Sequence, residues 1–446
     1  MAKAKYIAAF LAAGLMASSA FAAQKWIQIR NKAASEITLY SGDQNMLQMG
    51  GPGTFTVDQD ITGYSTTLIF GSGSTNVSPS YIQIDEGKTF EVNALGANNS
   101  RPTSSITFQG GGTLVLTGTD LNFVESGPNI STTGGDEQHY YFKQSGQFNL
   151  ANKQITVRNN NFVEMDNVNI NATKLTMTGT SSIKMIVSSN SSFKGISMSG
   201  SSSLILQSSA SSVHLNTTTS FGDGTEFHFL NAAGTSLATG ISLFSTVNIG
   251  AVNASELGTT VYIEDNNTTT VSAGEHTIKV GSLIMKTAGT LNLNSSNAFY
   301  TSSGDQSTLR ISVVRANAKL NLGADNAIGE LSIKQSGTNP AGTLFVSLGG
   351  NALNLGTVTI SSDESMLYFT DFAEDLVYVD SALETLEDGS LKNIFSVEVN
   401  GNDILSYTKL YQNGAGFLTA VVPEPAAAAF IFGALALGFV AYRRRR

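Results

Sequence analysis

Four short runs hold the residues best suited to chemistry. Gly134-Gly135-Asp136-Glu137-Gln138-His139-Tyr140-Tyr141 gathers two carboxylates and an imidazole, groups that bind a divalent cation or move a proton. In Asp223-Gly224-Thr225-Glu226-Phe227-His228-Phe229, strand alternation sends Phe227 and Phe229 inward and Glu226 and His228 outward. A Glu/His pair on one face is a candidate for Zn²⁺ or Ca²⁺. Asp58 with Asp60, and Asp85 with Glu86, are acidic pairs in turns. The plainer use of each run is a solvated loop or a polar outer face, because no second cluster is placed to complete a site. The chain has no Cys and only 4 His. That excludes disulfides, a thiol nucleophile and Cys-based zinc. No P-loop, G-x-S-x-G, H-E-x-x-H or recurring G-G-x-G-x-D calcium repeat is present. The sequence therefore points to no catalytic, metal-binding or cofactor-binding residue, no cofactor and no enzymatic activity.

The elements around these runs begin with the two ends. Lys3 and Lys5 precede an apolar run over residues 6–17, and Ala20-Phe21-Ala22 offers an A-x-A cleavage site. This is the order of a secretory signal peptide over residues 1–22, with the mature chain starting near Ala23. Its apolar run is shorter than the roughly 20 residues of a membrane span. At the other end stand Val422-Pro423-Glu424-Pro425, an uncharged apolar run over 426–442, and Arg443, Arg444, Arg445 and Arg446. As a helix the run is roughly 25 Å long, a short transmembrane span. The arginines belong on the cytoplasmic side, so the large body lies outside the cytoplasm, as the signal peptide also requires. Between the signals, 19 basic and 33 acidic residues leave a net charge of −14. A body so acidic does not bind nucleic acid, which needs Lys and Arg on phosphate.

The order Pro423-Glu424-Pro425, apolar helix, terminal arginines resembles the PEP-CTERM sorting signal of Gram-negative bacteria. The resemblance covers residues 421–446 and speaks to sorting, not to the body. It implies an exosortase-type membrane peptidase as partner, transient residence in the inner membrane and cleavage near the Pro-Glu-Pro. Delivery to the cell surface or extracellular matrix follows, in association with exopolysaccharide and biofilm. A plain single-span anchor uses the same helix and stays open as an alternative.

The body alternates with period two between Gly, Ser, Asn and Thr turns. Aliphatic pairs flank one residue that faces the other way: Leu114/Leu116, Leu175/Met177, Val213/Leu215, Leu291/Leu293, Leu309/Ile311, Leu320/Leu322, Leu331/Ile333, Leu353/Leu355 and Val358/Ile360. The middle residues are mostly polar, among them Thr176, His214, Asn292, Asn321 and Asn354. Such spacing suits a sandwich or a solenoid. The pattern runs on without a break, and each strand is too weak to bury its face alone, which favours stacked coils of about 20 to 30 residues. Leu114, Leu204, Leu291 and Leu320 are then expected in one interior spine. Gly112-Thr113-Leu114-Val115-Leu116-Thr117-Gly118 is similar to the β-helix repeats of autotransporter passengers. Those proteins end in a membrane β-barrel, whereas this chain ends in one apolar helix, so the likeness concerns fold and surface location only.

The expected fold is all-β, a right-handed parallel β-helix or solenoid over residues 100–370. Residues 23–99, with the single tryptophan Trp26, form a β cap region. Residues 371–420 form a small α+β cap, helical over 381–393 on the spacing of Leu383, Leu386 and Leu391, with one further coil as the alternative. Asn400-Gly401 turns a hairpin there, and residues 417–420 form a last strand. Residues 421–446 carry the sorting signal and its transmembrane helix. Two functions fit. One is a surface or matrix structural or adhesion protein, with surface polysaccharide or other matrix proteins as partners. The other is a polysaccharide-active β-helix lyase or glycoside hydrolase, which needs clustered carboxylates beside Arg or Lys. No basic residue lies between Lys194 and Lys279, which favours the first.

Overall fold

The structure, a computed structural model, describes residues 22–50, 52–70, 80–97, 105–116, 120–123, 138–144, 148–152, 154–157, 161–187, 191–210, 212–301, 309–335, 341–400 and 403–420. Residues 1–21 of the signal peptide expected over 1–22, and the tail 421–446, with Ala20, Val422, Pro423, Glu424, Pro425 and the four arginines, lie outside them, as do Asp136 and Glu137. Among the described residues no helix is long and apolar enough to cross a membrane. The chain is an all-β solenoid, and its contacts divide it into two compact units, 1–188 and 189–446.

In the first unit, Gln24–Gln28, Gln44–Met49, Ser65–Phe70 and Ala94–Ala97 pair in parallel, in that order. A second parallel series runs through Gly53–Val57, Ser80–Ile84, Ser105–Gly110, Gln138–Gln144, Asn161–Asn169 and Ser182–Val187. Phe108 and Phe142 stack inside it, 4.8 Å apart and 8° from parallel. Trp26 is 54% exposed on the first strand.

In the second unit a full coil contributes three strand segments. The first sheet contains Val213–Leu215, Gly240–Leu243, the far half of Ser255–Ile263, and Arg310–Val313. The second contains Thr219–Phe221, Val247–Ile249, Thr268–Val271, Thr290–Leu293, Ala318–Leu322, Thr343–Ser347, Met366–Phe369 and Ile394–Asn400. The third begins Ser203–Ser208, Glu226–Asn231 and the near half of Ser255–Ile263. Polar contacts between neighbouring coils join residues 20 to 30 apart in sequence, the coil length the sequence spacing implies. Parallel strands with alternating burial bury one face of every coil at roughly 25 cal/mol per Å² of apolar surface.

The aliphatic triplets supply that core. Leu175, Met177, Val213, Leu215, Leu291, Leu293, Leu309, Ile311, Leu331, Ile333, Leu353 and Leu355 are all buried, and their middle residues face outward. Val358 and Ile360 are only half-buried, because the next segment over that sheet is the irregular stretch 381–393 rather than another strand. In the second sheet the register Val247, Thr269, Leu291, Leu320, Val346, Phe369 forms one unbroken interior column. Leu204 enters the same unit's core from the third sheet, and Leu114 lies buried in the first unit.

Thr269 is the flaw in that column. It is 2% exposed between Val247 and Leu291, and its hydroxyl has no partner among the described residues. A buried unsatisfied hydroxyl costs about 1–3 kcal/mol. Thr269→Val keeps the shape and removes that cost, so the urea midpoint of the full chain should rise by the equivalent of about 1 kcal/mol. An unchanged or lower midpoint would show the hydroxyl to be satisfied.

The small α+β cap is corrected to an all-β one. Among the described residues the only helix is the single 3-10 turn Ala34–Glu36. Over residues 381–393, Thr385 bridges Leu391 antiparallel, and the Leu386 amide donates to the Ser390 carbonyl. Gly389 takes a left-handed φ of +79° that breaks any helix there, and Asp388 accepts hydrogen bonds from both the amide and the hydroxyl of Ser390. The leucine spacing therefore reflects a turn with Leu391 buried and Leu386 exposed. The hairpin does form, with Ile394–Asn400 antiparallel to Asp403–Lys409, and Leu418–Thr419 pairs antiparallel with Tyr411–Gln412.

Candidate functional site

The second unit carries the two densest polar arrangements. On its third sheet, Glu226 and His228 point outward while Phe227 and Phe229 are fully buried, as alternation requires. The coils place two further residues beside them. His228 Nε2 meets Glu226 Oε1 at 2.5 Å, His228 Nδ1 meets Glu256 Oε2 at 3.1 Å, and Lys279 Nζ donates to Glu256 Oε1 at 3.2 Å. The imidazole is thus held from both sides, and Glu256 is shared between His228 and Lys279. This is a chain of groups lying along a sheet and answering one another, not a set of lone pairs converging on a point. Among the described residues no group of three or more His, Asp or Glu is placed to hold a metal. Glu256 and Lys279 escaped the sequence reading because they join His228 only through coil register, 28 and 51 positions along.

The second sheet carries a neutral ladder. Asn292 Nδ2 donates to Thr270 Oγ1 at 3.0 Å, and Asn321 Nδ2 donates to Asn292 Oδ1 at 2.8 Å. Each amide bonds its counterpart on the next coil because parallel register puts like positions about 4.8 Å apart. Two residues away on the same face, Phe345, Tyr368 and Phe395 succeed one another with ring centroids 5.2 and 6.1 Å apart, and Tyr407 closes the row at 5.4 Å. Burial, then the neighbouring Tyr407, pushes the Tyr368 hydroxyl above its usual range.

Several acidic side chains near turns are tied to backbone amides of an adjacent coil. Asp60 accepts from the Thr89 amide, Asp223 from Ala251, Asp265 from Thr287 and Asp325 from Ala352. Asp371 accepts from the amides of Leu348 and Gly349 and from the Ser347 hydroxyl. Asp58 accepts from the hydroxyl and then the amide of Ser35, and these bonds hold its carboxyl below the usual range. Backbone N–H groups at coil corners have no ladder partner, and a carboxylate is the strongest acceptor that reaches them. Asp85 and Glu86 sit in the tight turn closed by the Lys88 amide on the Asp85 carbonyl, with Gly87 at φ +73°.

His139 lies on Gln138–Gln144 in the first unit, and its neighbours Asp136 and Glu137 are outside the described residues. Ala22 of the expected cleavage site is exposed just ahead of Gln24–Gln28. Comparison of the chain with family models, with curated proteins and with solved structures finds no match.

Proposed function

We propose that this is an exported, non-enzymatic structural or adhesion protein of the cell surface or extracellular matrix of a Gram-negative bacterium. In this reading residues 1–22 direct export through the inner membrane, and the coil that follows is right-handed. The apolar run 426–442 holds the chain in that membrane until an exosortase-type peptidase cuts near Val422-Pro423-Glu424-Pro425. The released body meets surface polysaccharide or other matrix proteins through its long outer faces.

One observation supports a scaffold over an enzyme: the carboxylates of Asp58, Asp60, Asp223, Asp265, Asp325 and Asp371 accept backbone amides. A lyase or hydrolase needs acids directed at substrate, whereas acids that accept corner amides are committed to holding coils together.

The test has two arms. Purified full chain, incubated with a panel of bacterial polysaccharides, should release neither reducing ends nor unsaturated sugars. Expressed in a host that carries an exosortase, the chain should lose its four arginines, and replacing Pro423 and Glu424 with alanine should leave the uncut chain in the inner membrane. Steady sugar release would make the protein a polysaccharide-active enzyme. An intact tail on the unaltered chain in such a host would remove the sorting account.

A further inference from the structure

Among the described residues, large apolar side chains exposed to solvent are sparse, yet three fall within four residues: Ile404, Leu405 at 61% and Tyr407 at 67%. They belong to Asp403–Lys409, all seven residues of which are exposed. Among the described residues this strand pairs only with Ile394–Asn400, and no other described strand occupies its second edge. An open edge that also concentrates apolar groups is the usual seat of another strand.

The sequence of the strand indicates which one. Asp403-Ile404-Leu405-Ser406-Tyr407-Thr408-Lys409 is complementary to itself when reversed. About a twofold axis at Ser406, Asp403 faces Lys409, Ile404 faces Thr408 and Leu405 faces Tyr407. Opposite charges close both ends and an apolar pair lies on either side of the axis, each a favourable cross-strand pair. A parallel arrangement in register sets Asp403 on Asp403 and Lys409 on Lys409 instead. Lys409 is already fixed at the strand end by Asp388, and an ammonium with three donors can take a second carboxylate. We propose that Asp403–Lys409 is a homodimer contact, in which the strand pairs antiparallel with the same strand of a second copy.

The rest of the hairpin suits a contact that stops at two. Its register shifts between Glu398 and Val399, leaving Leu405 as a bulge with no opposite residue. Bulges and edge lysines discourage open-ended strand addition. An isologous pair uses the one open edge of both hairpins, so nothing remains for a third. Seven residues bury less than a standard interface of about 1,600 Å², so the dimer is weak and follows concentration. The contact does not depend on how the tail is processed or on whether the body acts on sugars.

The chain contains no cysteine, which gives a clean readout in the full chain. Opposite residues of an antiparallel pair have Cα atoms about 4.5 or 5.5 Å apart, within the span of a disulfide. Ser406→Cys should therefore give a covalent dimer on mild oxidation, and Thr408→Cys, which faces Ile404, should give little. Adding Asp403→Lys to Ser406→Cys should cut the dimer yield about tenfold or more, since like charges then face each other at both ends. Adding Lys409→Asp as well should restore it. Leu405→Lys with Ser406→Cys should also stay monomeric, and it keeps the Lys409–Asp388 contact should the double reversal fail to fold. Unchanged thermal midpoints separate these effects from unfolding. Equal yields from Ser406→Cys and Thr408→Cys, yields indifferent to Asp403→Lys and Leu405→Lys, or ladders beyond the dimer would each overturn the proposal.

Discussion

Gly281→Val should cost the second unit about 3 kcal/mol or more, at the upper end of overpacking penalties. Gly281 lies where Ile278–Met285 bends from the third sheet to the first, between the register pairs Val280 with Gly258 and Ser282 with Thr260. A Cβ there would stand 2.2 Å from the Thr259 carbonyl oxygen, 2.9 Å from its carbon and 3.0 Å from its Cα. All three are backbone atoms of the coil below, so no rotamer change relieves the clash. Either the coils part at that corner or the strand leaves its register, and a one-residue slip exchanges the buried and exposed faces. Gly356 is in the same position at a later bend, with the Gly329 carbonyl oxygen 2.4 Å from where its Cβ would stand. Gly414, which would meet nothing within 4 Å, provides the control: Gly414→Ala should move stability by no more than about 0.5 kcal/mol. Urea unfolding of the three chains decides the matter. A Gly281→Val chain as stable as the Gly414→Ala chain would mean that the corners are looser than their contacts imply.

These corners also show what was legible in advance. Leu257-Gly258, Val280-Gly281, Ile328-Gly329 and Leu355-Gly356 repeat an aliphatic–glycine step in the middle of long strands. That step was available in the sequence as the sign of a bend between two faces of one coil, because glycine inside a strand marks a bend or a close backbone approach. The aliphatic triplets were readable because alternation is local: Leu291 and Leu293 need only Asn292 between them to declare a buried face. Coil register is not local. Glu256 and Lys279 are ordinary surface residues in sequence; the stacking of Ser255–Ile263 on Glu226–Asn231 brings Glu256 to His228, and that of Ile278–Met285 on Ser255–Ile263 brings Lys279 to Glu256. The helix expected over 381–393 failed for a related reason. Three leucines at helical spacing state a preference, but Gly389 and the Asp388–Ser390 bonds determine a turn, and the neighbouring strand decides that Leu391 alone is buried.

Phe227→Ala should have the larger effect on stability. Phe221, Phe227 and Phe229 are all fully buried, with Phe227 4.2 Å from Phe221 and 5.9 Å from Phe229 between ring centroids. Phe227 also stands in register with Leu204 on the strand before it. Truncation removes the ring's transfer free energy and leaves a cavity that two other rings can only partly fill, a loss of about 3–5 kcal/mol. Phe227→Leu keeps much of the volume and should cost less than half of that. The loss should also be local, because each coil of a solenoid is stabilised mainly by its neighbours. Amide hydrogen exchange should rise over Ser203–Ser208, Glu226–Asn231 and Ser255–Ile263, and stay unchanged over Met366–Phe369. The outer chain of Glu226, His228, Glu256 and Lys279 loosens with it, since both sets of side chains alternate on the same backbone. Exchange that rises evenly through residues 189–420 would instead show the whole unit opening as one cooperative block, and the coil-by-coil account of its stability would fall.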